Sequence, residues 1–371
     1  MRKNMRLRII VTAALLISIP VAAAERRAGI AFHYASPLTP AELEWLANFE
    51  VLVTHDPLPR PQVDALHARG TKLVLYEWSV AFYDSLKTSW HTRIPSTALL
   101  HDRPLRGHLG ASDADAWYYD PAAPEHARER AEALVQHLRA VGYDGVFLDT
   151  TTSASVHPEA LAEYQRRHPD RSWDEAFGDF LASLRGELRG GLIVTNQGYR
   201  AAGHVLPWVD WDVTESLITH PRQGKFVLRP WDDRDDAWNS TAFLMRTLID
   251  PARKAFPSVR YAHINYVEAA DRKRIAEIVA IALLFDAQPV VAVRDVSTMI
   301  ESDLLLLDLG EPKALRGTHR FYTRGFVAWN PGPKPMHVPN GDEYVDVVTG
   351  KRVGGKIVIP PSSARILRRM P

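Results

Sequence analysis

Two carboxylates stand where short apolar runs end. The run Gly142-Tyr-Asp-Gly-Val-Phe-Leu-Asp149-Thr-Thr is apolar until Asp149, and Trp211-Asp-Val-Thr-Glu215-Ser repeats the pattern with Glu215. A carboxylate without partners is costly to bury, so an acid closing so apolar a run is either functional or caps a helix. In the second run, alternation puts Val213 and Glu215 on one face and Asp212 on the other, which makes Glu215 the acid at the strand's end. Two acids facing each other across a cleft suit glycosidic bond hydrolysis. One attacks or stabilises the anomeric carbon while the other protonates the leaving oxygen. For Glu215 the alternative is a salt-bridged rim acid.

Other runs also end in polar or aromatic residues: His33-Tyr34, His55-Asp56, Glu77-Trp78, Asn196-Gln197, His263, Asn265-Tyr266 and Arg294-Asp295. A hydroxyl-rich ligand needs such donors and acceptors beside aromatic platforms. His33, Tyr34, His55, Asp56, Glu77, Trp78, Asn196, His263, Asn265 and Tyr266 are therefore candidate substrate-binding residues, and Glu77 is the strongest rival for a catalytic acid. No His-Glu-x-x-His, first-strand His-x-His or cysteine cluster marks a metal site, no Gly-x-Ser-x-Gly elbow marks a serine nucleophile, and no cofactor is expected.

These residues need a frame that gathers strand ends. β-Prone runs near 29–34, 50–55, 72–78, 145–150, 192–196, 211–216, 261–266 and 289–293 alternate with helical patterns at 40–48, 60–69, 124–141, 158–168, 173–189, 239–256 and 271–285. Thr39-Pro40 with Glu42, and Ser172-Trp-Asp-Glu175, are helix-start signals. Eight strand–helix repeats predict an α/β fold, a (β/α)8 TIM barrel, whose site lies at the C-terminal strand ends. An open doubly wound sheet is the runner-up, but no glycine-rich phosphate loop follows the first strand. The long connections 81–123, with Trp90, His91, His101, His108 and Trp117-Tyr-Tyr-Asp120, and 219–238, with Trp231 and Trp238, emerge at that end. Past residue 312 the pattern turns to short alternating strands and Pro/Gly turns, which predicts a small C-terminal antiparallel β-domain over 313–371 beside a barrel over 25–312.

The chain has 371 residues, 45 Lys and Arg against 44 Asp and Glu, and no cysteine, so disorder, disulfide scaffolds and cysteine–metal centres are excluded. Arg2, Lys3, Arg6 and Arg8, an apolar run over 9–21 and Ala22-Ala-Ala24 read as a signal peptide over 1–24. The run is too short to span a bilayer, so the expected mature protein is exported, periplasmic or extracellular, with no integral membrane segment. Without residues 1–24, 41 basic residues face 44 acidic ones. Dispersed basic residues and that net charge of −3 argue against a nucleic-acid partner. The oligomeric state stays open.

Tyr143-Asp-Gly-Val-Phe-Leu-Asp149, Val194-Thr-Asn-Gln197, Thr214-Glu215-Ser216, Phe326-Val-Ala-Trp-Asn330, Asp346-Val-Val-Thr-Gly350 and Pro360-Pro-Ser-Ser together resemble the secreted (β/α)8 glycoside hydrolases related to endo-α-1,4-polygalactosaminidases and hypothetical glycosyl hydrolases. The resemblance implies Asp149 as nucleophile and Glu215 as acid/base, with a polysaccharide substrate such as an α-linked amino-sugar exopolysaccharide. The rivals are a non-catalytic carbohydrate-binding barrel, which needs the same aromatic rim, and a metal-dependent hydrolase or deacetylase.

Overall fold

The computed structural model describes residues 27–83, 96–106, 115–149, 151–232, 240–293 and 299–370. The expected signal peptide, Trp90, His91, His108, Trp238, Arg294 and Asp295 lie outside the described residues.

Eight strands follow one another around a parallel sheet. They are β1 (Ala28–Phe32), β2 (Phe49–Thr54), β3 (Lys72–Trp78), β4 (Gly145–Asp149), β5 (Leu192–Asn196), β6 (Trp211–Glu215), β7 (Arg260–Val267) and β8 (Gln288–Val293). Their near-continuous Val, Ile, Leu and Phe content suits strands covered on both faces, one by the interior and one by helices. At the seam between β1 and β8 side chains replace the ladder. Gly29 N–H donates to Gln288 Oε1 at 3.0 Å, and Phe32 N–H reaches Met299 Sδ at 3.4 Å. The nearly closed (β/α)8 barrel is the expected fold.

Helix α1 (Pro40–Leu46) starts at the expected capping box, Glu42 N–H donating to Thr39 Oγ1 while Thr39 N–H donates to Glu42 Oε2. The other expected start holds too, with Ser172 capping the helix Trp173–Leu188. Two stretches that read as continuous helices are not. The stretch 124–141 opens with a π-turn, His126–Arg130, before the α-helix Ala131–Val141, which Gly142 ends in the left-handed region. Residues 241–255 likewise pass through a π-turn, Met245–Ile249, ahead of Pro251, which has no N–H to donate into the preceding turn. Hydrophobic spacing cannot register such a one-residue change of winding.

The C-terminal residues build a five-stranded antiparallel sheet and a two-stranded partner, Met336–Pro339 with Lys356–Ile359. Its strand Gly325–Asn330 is buried on both faces. Val327 and Trp329 join the barrel's core, while Phe326 and Ala328 pack with Val338, Ile357 and Ile359 in a second core. Tyr322 donates its hydroxyl to the Leu283 carbonyl of the last barrel helix, fastening the sheet to the barrel. After β3, Ala81–Tyr83, Leu105–Arg106 and Asp115–Tyr118 pair into a small sheet, and after β6 the hairpin Thr219–Arg222/Lys225–Leu228 projects. No helix among the described residues is long and apolar enough to cross a membrane.

Candidate active site

Asp149 and Glu215 close β4 and β6, and Asn196 closes β5 between them. Parity sends these three side chains into the same mouth: Asp149 is level with Asn196, since Leu148 pairs with Thr195, and Glu215 stands two residues beyond Val213, the partner of Asn196. Asn196 Nδ2 donates to Asp149 Oδ1 at 2.8 Å and to Glu215 Oε2 at 2.9 Å. The two carboxylate oxygens are thus at most about 5.7 Å apart, the sum of those distances. A planar amide donating both hydrogens about 120° apart sets them at about 5 Å. The amide orientation follows from the network, since its oxygen would repel both carboxylates.

Each carboxylate has a second donor. Tyr76 gives its hydroxyl to Asp149 Oδ2 at 2.6 Å, and Tyr266 gives its own to Glu215 Oε1 at 2.8 Å. Burial and both carboxylates push the pKa values of Tyr34, Tyr76 and Tyr266 well above the ordinary phenol value, so all three hydroxyls keep their protons. Glu215 is also pushed up, first by burial and then by the charge of Asp149, against the hydrogen bonds from Asn196 and Tyr266. Among the described residues Asp149 caps no helix, the helix Pro158–Arg167 being capped by His157, and Glu215 has no ion pair.

Aromatic rings line the Asp149 side. Tyr76 packs at centroid distances of 5.6 Å on Tyr34, 5.0 Å on His55 and 5.7 Å on Trp78, which continues to Tyr83 at 5.4 Å. Asp56 lies outermost, its side chain 70% exposed and 3.5 Å from His55. Tyr34, His55, Trp78, Asn196 and Tyr266 thus gather around the two carboxylates, with Asp56 at the edge.

Four expected residues do not. His33 turns to the helix layer, with Nε2 3.4 Å from Glu42 of α1, and burial favours its neutral ring. Glu77 is buried on the opposite face from Tyr76 and Trp78, its charge felt by Arg130 and Tyr119. His263 is fully buried outside the mouth and pushed down to about 3 by burial. Asn265 is fully buried too, and its Oδ1 accepts from Ile218 and Thr219 N–H, fixing the turn after β6. The reason is the two-residue period of a strand: in His33-Tyr34, Glu77-Trp78 and Asn265-Tyr266 only one of each pair can enter the mouth. The same rule, applied to β3, finds the missed Tyr76, which shares a face with Trp78. Among the described residues, no three His, Asp or Glu side chains converge as a metal set.

Asp212 faces the helix layer, as alternation requires. It accepts from Thr195 Oγ1 and from Gly198 and Tyr199 N–H, holding the turn that follows Asn196. Burial pushes it up to about 7 against those bonds. Its folded value exceeds its unfolded one, so its contribution to stability is fullest in acid and is lost as pH rises through about 7. Asp212→Asn removes this dependence. Its deficit in urea midpoint relative to the native chain should be larger at pH 5 than at pH 8; an equal deficit at both would refute the assignment.

No protein-family model matches the chain, and no curated protein is similar to it in sequence. Solved structures share its fold. The glycoside hydrolase domain of PelA from Pseudomonas aeruginosa is 20% identical, with a TM-score of 0.53 over 73% of this chain and 97% of that one. An α-amylase from Geobacillus thermoleovorans, complexed with acarbose, is 11% identical with a TM-score of 0.51, covering 94% of this chain and all of that one. An α-amylase from Malbranchea cinnamomea is 13% identical at 0.50, over 92% and 96%. At such identities the likeness shows the fold, a barrel of the kind glycoside hydrolases use.

Proposed function

We propose that this protein is an exported, retaining glycoside hydrolase acting on a polysaccharide, with an α-linked amino-sugar exopolysaccharide as substrate. The observation that carries the reading is Asn196 donating to both carboxylates, which holds them about 5 Å apart. Retaining enzymes space their carboxyl groups at about 5–5.5 Å, inverting ones at about 6.5–9.5 Å to admit a water.

In this reading Asp149 attacks the anomeric carbon as the glycosidic C–O bond breaks, and Glu215, favoured in its protonated form by burial, gives its proton to the leaving oxygen. A glycosyl ester on Asp149 results. Glu215, now ionised, takes a proton from the water that attacks the same carbon, and Asp149 leaves as carboxylate. The amino-sugar substrate and export rest on the sequence resemblance and the apolar N-terminal run.

The test is product release from a polysaccharide panel that includes partly deacetylated galactosaminan, with the first-formed anomer read by proton NMR. The α-anomer of an α-linked substrate should appear first. A β-anomer appearing first would rule out retention, and glycan binding without release would favour the non-catalytic barrel.

A further inference from the structure

Among the described residues Arg130 is the largest fully buried side chain, yet it carries a charge. Its guanidinium lies 3.8 Å from the Tyr119 ring centroid and 4.6 Å from that of Phe180. Nη1 donates to the Ser79 carbonyl at 2.6 Å and to His126 Nε2 at 2.9 Å, and Nη2 donates to the Trp78 carbonyl at 2.8 Å. Burial and the arginine's own charge keep His126 neutral and able to accept. Glu77, rejected above as a mouth residue, supplies negative charge to this cluster.

An apolar side chain could fill this space without the cost of burying a charge. What it could not do is grip two consecutive carbonyls where β3 ends. The grip continues inward. Ser79 gives both its N–H, at 3.0 Å, and its hydroxyl to the backbone carbonyl of Asp149. A line of hydrogen bonds thus runs from the helix layer through Ser79 to the Asp149 backbone, and Trp78 of the aromatic wall hangs on the same clamp.

We infer that Arg130, acting through Ser79, is a positioning residue that fixes Asp149 against Glu215. The inference rests on the proposed roles of those two carboxylates. The π-turn serves this arrangement, since it buries His126 and Arg130 together on the inner side of the helix. Displacing a reacting group by about 1 Å costs about 10²-fold in rate.

The test compares Arg130→Lys, Ser79→Ala and the double variant on partly deacetylated galactosaminan, with circular dichroism as the check on folding. Each single variant should lose about 10–10²-fold in kcat with KM within about twofold, and the double variant should be no worse than the poorer single one. Unchanged kcat in folded single variants, or losses that multiply in the double, would overturn the inference. Ser79→Ala leaves the buried charge cluster whole and carries the test alone if Arg130→Lys does not fold. Should the native protein not act on this polymer, the functional reading fails there, and carbon-13 titration of the Glu215 carboxyl decides the positioning. A midpoint moved from the native one in Ser79→Ala supports it; an unmoved midpoint refutes it.

Discussion

Asp149→Asn should abolish turnover while leaving the barrel folded. The new amide keeps both neighbours, because its oxygen still accepts from Asn196 and the Tyr76 hydroxyl can rotate to accept from its nitrogen. What disappears is the nucleophile. Glu215→Gln is matched in the same way, accepting from Asn196 and donating to Tyr266. Its loss should be about 10²–10⁴-fold, the usual contribution of a general acid. The two variants separate on an aryl glycoside whose leaving group needs no proton: Glu215→Gln then recovers the first step and Asp149→Asn does not. The pre-steady-state burst of leaving group from the aryl substrate and steady-state rates on the polymer, with thermal unfolding as control, make the comparison. Full activity in either variant on the polymer would sink the paired-carboxylate mechanism.

The sequence carried the carboxylate pair because each acid ends an apolar strand, and strand parity selected Glu215 over Asp212. The same parity sorts the other strand ends: His33, Glu77, His263 and Asn265 lie on the face away from the mouth, and Tyr76 shares the mouth face with Trp78.

Other features need the third dimension. Arg130 is separated by about fifty residues from the carbonyls it grips, in a stretch that reads as an ordinary amphipathic helix. Nothing local distinguishes it from the exposed arginines nearby until Tyr119 and Phe180 enclose it. Asn196 read as one polar strand end among several. Its importance comes from the strand order β4-β5-β6, which sets its amide between two acids that repel each other and offers both a shared donor.

That shared donor predicts a pH effect of definite sign. Hydrogen bonds donated to a carboxylate favour its ionised form, so those from Asn196 and Tyr266 hold Glu215 below where burial and Asp149 would take it. Tyr266→Phe removes one of them and keeps the ring, and Asn196→Ala removes the other. Glu215 then stays protonated to higher pH, and the alkaline limb of kcat/KM, where the proton donor is lost, should move upward in both variants. The tyrosine cannot itself produce that limb, because its own hydroxyl is pushed far above the ordinary phenol range. Rates at the optimum should also fall, by about 10–10²-fold, since a hydrogen bond to a charged group contributes about 1.5–3 kcal/mol. Asn196→Ala should fall further than Tyr266→Phe, because it strips a donor from Asp149 as well and leaves two carboxylates about 5 Å apart with nothing between them. A pH–rate profile for each variant checks both points. An alkaline limb that stays in place, or moves down, would mean that Glu215 is not the proton donor, and the acid would then have to be sought elsewhere around the mouth.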